Sequence, residues 1–225
     1  MLSKLENQES QALLNQEIAG GYFLFDGLFH QSPGGDLLRT IIEAKLLTQA
    51  KDFYYQDSDR FDKILEDPQW LNQEEKIAVE FASLFAVPGQ DMITPYESYY
   101  CDTLVIDHST ACSPYFQSQE GSVGLKGFLG GNSSQSVMNL YKGFGFEINP
   151  AFFDLPDHVS AELEFIGKLY ELGYCAEAEH FYQKHLGRWI GLFLNKLSEQ
   201  TKSNFYSAVA ESLKGFLLMY DGRRA

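Results

Sequence analysis

Pro156-Asp157-His158-Val159-Ser160-Ala161-Glu162-Leu163-Glu164-Phe165-Ile166-Gly167-Lys168-Leu169-Tyr170 is the stretch from which the fold is read. Val159, Leu163, Ile166 and Tyr170 recur at steps of four, three and four, the spacing of one buried stripe on an α-helix. Asp157 stands at the start of that stripe, where a carboxylate can satisfy orphan first-turn amides and complement the helix dipole. His158 and Glu162 are four apart, so they share a face. A hydrogen bond between them would hold the imidazole in one tautomer.

Working outward, the same period continues. Phe181, Trp189, Phe193 and Leu197 form a second stripe, and Phe205, Val209, Leu213, Phe216 and Tyr220 a third. From Gln8 to Leu47 the chain reads as two or three amphipathic helices, broken at Gly20-Gly21 and at Ser32-Pro33-Gly34-Gly35, with Leu37, Leu38, Ile41, Ile42 and Leu46 as a buried face. Asn72 and Glu75 have the spacing of a capping box opening a helix through Ile77, Phe81, Leu84 and Phe85 toward Pro88-Gly89. Helical spacing returns from Ser134 through Val137, Leu140 and Tyr141 until Gly143 and Gly145. Strand-like alternation is nearly absent. The expectation is an all-α fold, a single multi-helix, bundle-like globular domain over residues 1–225, with an irregular Gly-rich insertion around 101–132.

The chain has 225 residues, enough for one well-cored domain, and 44% of them are apolar against 21% charged, which argues against global disorder. Its 18 Phe and 13 Tyr exceed what a core of this size needs, leaving rings free to line a groove. A formal charge of −14 argues against a nucleic-acid partner and suits a basic one, although acidity also serves simple solubility. Cys101, Cys112 and Cys175 make neither a CxxC pair nor an even disulfide framework, which points to a reducing compartment. No signal peptide or membrane-length apolar run is read, so a cytoplasmic location without stable membrane insertion is expected.

Two segments upstream bear on function. Phe81, Leu84 and Phe85 share one helical face, which packs in a core or lines a groove wall. In Pro95-Tyr96-Glu97-Ser98-Tyr99-Tyr100, proline fixes the chain direction and Ser98 can cap the next turn. There Glu97, Tyr99 and Tyr100 would present a carboxylate and hydroxyls to a ligand carrying Arg beside an apolar run.

Taken together, Glu80-Phe81-x-x-Leu84-Phe85, Pro95-x-x-Ser98-x-Tyr100, Pro156-Asp157-His158 with Glu162-Leu163, and Phe181-x-x-x-His185-Leu186-x-x-Trp189-x-x-x-Phe193 followed by Phe205-Tyr206 resemble, in order and spacing, the TorD/DmsD/NarJ-like family of redox-enzyme maturation chaperones. The resemblance covers roughly the last two thirds of the chain. It implies a TorD-like helical fold and no enzymatic activity. The implied partner is the N-terminal, twin-arginine type leader, or the apo form, of a molybdenum or tungsten oxidoreductase catalytic subunit, held until its cofactor is inserted. It also implies that the Phe81–Phe85 helix borders the peptide groove, that Pro95, Ser98 and Tyr100 match motif positions, and that Asp157 and His158 contribute to ligand binding. The peptide-binding set expected is therefore Phe81, Leu84, Phe85, Pro95, Glu97, Ser98, Tyr100, Asp157, His158 and Glu162. His185, Trp189 and Phe193 read as packing residues. The segment from Cys101 to Asn132 is longer and richer in Gly than the usual link in the family, suggesting a flap over the groove or a surface insertion.

Other functions find less support. HExxH, Walker, GxGxxG and GxSxG signatures are missing. Glu177 and His180 fit half of a carboxylate-bridged metal motif, but no other histidine has Glu three positions before it. No cofactor or metal is expected. An assembly factor of NarJ type for a non-exported reductase stays open, as does a small-molecule or GTP binder, though no phosphate-cradling loop is seen.

Overall fold

In the computed structural model, residues 2–43, 74–107, 122–148, 155–200 and 204–221 are described. Helix α1 (Leu2–His30) is followed by α2 (Gly35–Glu43), then by α3 (Glu74–Phe81), which widens into a π turn over Ala82–Ala86. A short α4 (Glu97–Cys101) leads into strand β1 (Thr103–Asp107), paired antiparallel with β2 (Ser122–Lys126). Five helices complete the order: α5 (Asn132–Gly143), α6 (Val159–Glu171), α7 (Cys175–Lys184), α8 (Leu186–Gln200) and α9 (Asn204–Asp221). The fold is all-α, with the two-stranded ribbon as an appendage between α4 and α5.

The core is organised around α6. Val159, Leu163, Ile166 and Tyr170 are all buried, and α1 lies along this helix with Ile18, Tyr22, Phe25 and Phe29 turned inward. Close approach of the two helices depends on Gly167, where a Cβ would stand 2.6 Å from the Phe23 ring. On the other sides α7 and α8 pack against α6, and α8 packs against α9, the two helices burying Phe193 and Leu197, and Phe205, Val209 and Leu213, respectively. Rings bind the layers together. Tyr22 meets Phe216 edge-on at 5.1 Å, and Tyr141, Phe165 and Phe181 form a second aromatic group.

Four local expectations are corrected. Gly20-Gly21 does not break α1, which runs through it; a methyl at Gly21 would overlap the Phe216 ring, so this glycine permits packing against α9 and does not end a helix. The Phe181–Leu197 stripe is divided between α7 and α8, because the backbone turns at His185 (φ −121°, ψ −93°). Inside the stretch expected to be irregular, residues 103–107 and 122–126 form the ribbon, in register from Thr103 opposite Lys126 to Asp107 opposite Ser122. Turn glycines follow it at Gly127 (φ 83°) and Gly130 (φ 76°), where left-handed backbone favours glycine. The helix at Glu74 does not run regularly to Phe85 but ends in the π turn, closed by Val87 N–H donating to Ala82 O at 2.8 Å. Asn72 of the proposed capping box, Ile42, Leu46, Cys112 and the middle of the 101–132 insertion lie outside the described residues or side chains.

Candidate functional site

The two motifs separated by some sixty residues in sequence meet in space. Tyr96 and His158 form an antiparallel bridge, flanked by Glu97 N–H donating to Asp157 O at 3.0 Å and Val159 N–H donating to Pro95 O at 2.9 Å. Asp157 then turns its side chain to the opposite helix, and Oδ2 accepts from Ser98 N–H at 2.7 Å. It therefore caps α4, whereas the sequence placed it at the start of α6. That role falls to His158, whose Nδ1 accepts from Ser160 N–H at 3.2 Å. A ring nitrogen that accepts must be unprotonated, and burial, helped by the nearby His30, lowers the His158 pKa to about 3.

Ser98 also differs from its expected role. Its hydroxyl does not cap α4; it accepts from Gly130 N–H at 3.2 Å and ties the chain returning from the ribbon to this helix. Asp102, just beyond α4, holds the start of α5 by accepting from Ser133 N–H at 2.9 Å and from its hydroxyl at 2.6 Å. Helix α4 is thus a small hub.

Glu97 lies at its centre. The sequence reading had this carboxylate facing a ligand, yet it is 0% exposed. Oε2 pairs with His185 Nδ1 at 2.8 Å, and Oε1 lies 3.5 Å from Arg188 Nη1. Glu162 is equally buried and does not need His158 as partner, since its Oε2 accepts from Trp189 Nε1 at 3.2 Å. Burial, followed by the adjacent Glu97 carboxyl, raises the Glu162 pKa well above the ordinary range, and Glu97 is also within hydrogen-bonding reach. A neutral Glu162 beside a paired Glu97 avoids two unshielded like charges in a dry interior. Beneath them, Ser160 hydroxyl bonds Asp26, whose pKa burial raises to about 6.

An aromatic ladder extends from this knot. Tyr100 stacks on Trp189 at 5.4 Å, Trp189 meets Phe193 at 5.7 Å, Phe193 meets Phe85 at 6.3 Å, and Phe85 meets Phe81 at 5.2 Å. Phe81, Phe85 and Tyr100 are half-buried, whereas Leu84 and Pro95 are buried. Of the ten residues anticipated, seven are thus interior and only these three rings keep solvent-facing surface. Two cavities lie apart from the paired motifs. One of about 210 Å³ is lined by Leu140, Phe144, Phe165 and Phe181 with Glu177 and His180 at its edge, and another of about 330 Å³ follows the outside of the π turn from Val79 to Asp91.

His185, Arg188 and Trp189 were not anticipated as polar partners. The available signal was one histidine inside an otherwise apolar seam, with a tryptophan four positions on. Buried, each needs a hydrogen-bond acceptor, and Glu97 and Glu162 supply them. Among the described residues no group of three His, Cys, Asp or Glu side chains is arranged to hold a metal ion, and no helix is long and apolar enough to cross a membrane.

These features define an all-α protein whose motif residues form one interlocked polar and aromatic unit. Residues 54–195 match the family described as nitrate reductase delta subunit, and the chain belongs to that family, the TorD/NarJ-like group of redox-enzyme maturation chaperones. It is similar to the chaperone protein TorD of Shewanella pealeana, at 24% identity over 135 residues, which covers 60% of this chain and 54% of that protein. The chain thus matches about half the length of that curated relative. The crystal structure of a protein proposed to act in redox enzyme maturation in Archaeoglobus fulgidus is also similar, with a TM-score of 0.48 and 23% identity over 88% of this chain and 92% of that one.

Proposed function

We propose that this protein is a chaperone that holds the N-terminal leader, the apo form, or both, of a molybdenum or tungsten oxidoreductase subunit until cofactor insertion is complete. The observation that carries the reading is the pairing of Pro95–Ser98 with Asp157–Val159, which gathers the family's motifs into one unit at the end of an aromatic ladder. Membership of a maturation-chaperone family supports it independently. In this reading Phe85 and Phe81 offer ring surface to the apolar part of a leader and Tyr100 offers its ring to the basic part, while buried Asp157, His158, Ser98 and Glu162 hold that surface in place. Glu97 supplies negative charge behind it.

The energetics suit temporary holding. An apolar segment burying about 500 Å² would gain roughly 12 kcal/mol. Ordering the peptide and losing its free translation offset much of this, leaving affinity on the order of micromolar.

Titration of a labelled leader peptide tests the proposal. Tyr100→Ala and Phe85→Ala should each weaken binding about tenfold or more, as loss of a central aromatic contact does. Unchanged binding in both would remove the site. The description of the matched family favours a second reading, an assembly factor for a reductase that is not exported. Such a client would be held through a leader lacking twin Arg or through a surface beyond the leader, so binding of an apo subunit without a twin-Arg leader marks that reading.

A further inference from the structure

We propose that Arg188 and Lys196 are internal placeholders, occupying with this chain's own cations the two places where an arginine-bearing client peptide seats its side chains. The inference rests on the leader-binding reading above. Both residues belong to α8 and lie over α4, eight positions apart, or about 12 Å of helix rise. Exposed Leu192 stands midway between them. Arg188 Nη1 lies 3.5 Å from Glu97 Oε1, while Lys196 Nζ stands 4.9 Å from the Tyr100 ring centre and 5.3 Å from that of Tyr99. One place is a carboxylate oxygen and the other a pair of ring faces. Both chemistries suit a guanidinium.

The first place is loosely filled. Glu97 is fully buried, and apart from the neighbouring Glu162 carboxyl no described residue hydrogen-bonds its Oε1. Arg188 is 52% exposed, and 3.5 Å is longer than a charge-assisted bond should be. Its Nη1 is shared with Lys184 O at 3.4 Å. An incoming guanidinium using the path that Arg188 vacates can approach more closely. At the second place lysine stands over two tyrosines, where arginine stacks better, so exchange again favours the client. Neighbouring arginines in an extended peptide point to opposite sides, which matches two separated places better than one. The occupant to which this surface is suited is therefore an extended segment carrying adjacent arginines. The chain's charge of −14 favours its approach.

Calorimetry with a synthetic peptide containing Arg-Arg before an apolar run, and with its Gln-Gln counterpart, tests the inference on wild type, Arg188→Gln, Lys196→Gln and the double variant. Each single substitution should tighten binding of the Arg-Arg peptide about two- to fivefold, the scale of relieving a half-exposed ion pair, and leave the Gln-Gln peptide unchanged. Lys196 is exposed and in no buried pair, so its variant remains informative even if Arg188→Gln disturbs Glu97. Binding that is present in wild type but unaltered or weakened in the variants overturns the placeholder role alone. If neither wild type nor the double variant binds the Arg-Arg peptide, the leader reading falls and the placeholder role with it.

Discussion

Helices α4 and α6 start side by side but are secured by opposite means. The first turn of α6 is capped by the residue immediately before it, His158, and its thirteen residues carry a continuous buried stripe. Helix α4 has five residues, no cap from its own N-terminal neighbour, and an acceptor supplied by Asp157 from far along the chain. A five-residue helix is too short to persist alone in water. It exists because the chain returns to hold it, through Asp157 at its start, Gly130 at Ser98, and His185 at Glu97. Presentation of Tyr99 and Tyr100 is therefore a tertiary property, whereas α6 is largely written in local sequence.

The strongest way to break this contrast is Glu97→Ala. His185 and Arg188 would lose the carboxylate on which they converge, and urea denaturation should show a loss of about 3–5 kcal/mol, as when one partner leaves a buried pair. A loss near zero would mean that Glu97 is not the hub of α4. Asp157→Ala should follow with about 2 kcal/mol, since the buried Ser98 N–H loses its acceptor. Asp157→Asn retains an acceptor oxygen and should recover part of it. Hydrogen exchange sharpens the point: the Ser98 amide should exchange faster in Asp157→Ala while amides within α6 stay protected. His158→Ala comes third, at about 1 kcal/mol, the ordinary value of one cap. The reverse ranking of Asp157 and His158 would invalidate the contrast between the two starts.

That contrast also explains what the sequence could disclose. The stripes of α6 and α9 were legible because their periodic apolar residues all point into one core: Val159, Leu163, Ile166, Phe205, Val209 and Leu213 are buried as the period requires. Clustering of the Pro95 and Asp157 motifs was anticipated from family resemblance alone, since no local pattern states that Asp157 will cap a helix 59 positions earlier. Assigning Asp157 to its own helix was the locally sensible choice, and it failed because the adjacent His158 supplies that cap. Glu97 was assigned to face a ligand carrying Arg on account of its charge; its burial depends on His185, at the turn between α7 and α8 and remote in sequence. Gly21 reads as a helix breaker until Phe216 is brought against it. The ribbon escaped notice because Thr103-Leu104-Val105-Ile106 is short and the nearby glycines suggested a loop.

Titration offers the finest comparison, because two groups of opposite sign act on the same residue at the start of α6. His158 accepts from Ser160 N–H, and its pKa falls from 6.5 to about 3 through burial, with His30 adding to the shift. Between those values the unfolded chain binds a proton that the folded chain refuses, so this contribution is complete above pH 6.5 and is lost as pH falls. Asp26 accepts from Ser160 hydroxyl, and burial raises its pKa from 3.8 to about 6 despite that hydrogen bond, with Glu164 adding to the rise. Here the folded chain holds the proton more tightly, so the contribution is complete below pH 3.8 and is lost as pH rises through 6. Across the overlap, from about pH 4 to 6, the two slopes oppose each other and wild-type stability should change little on their account. Asp26→Asn leaves His158 unopposed, so its urea midpoint should fall more steeply than wild type between pH 7 and 5. His158→Asn can still cap but no longer titrates, and its midpoint should instead hold or rise over the same interval. Parallel profiles for all three proteins would show that neither proton is coupled to folding, and that the buried, neutral His158 cap is not maintained in solution.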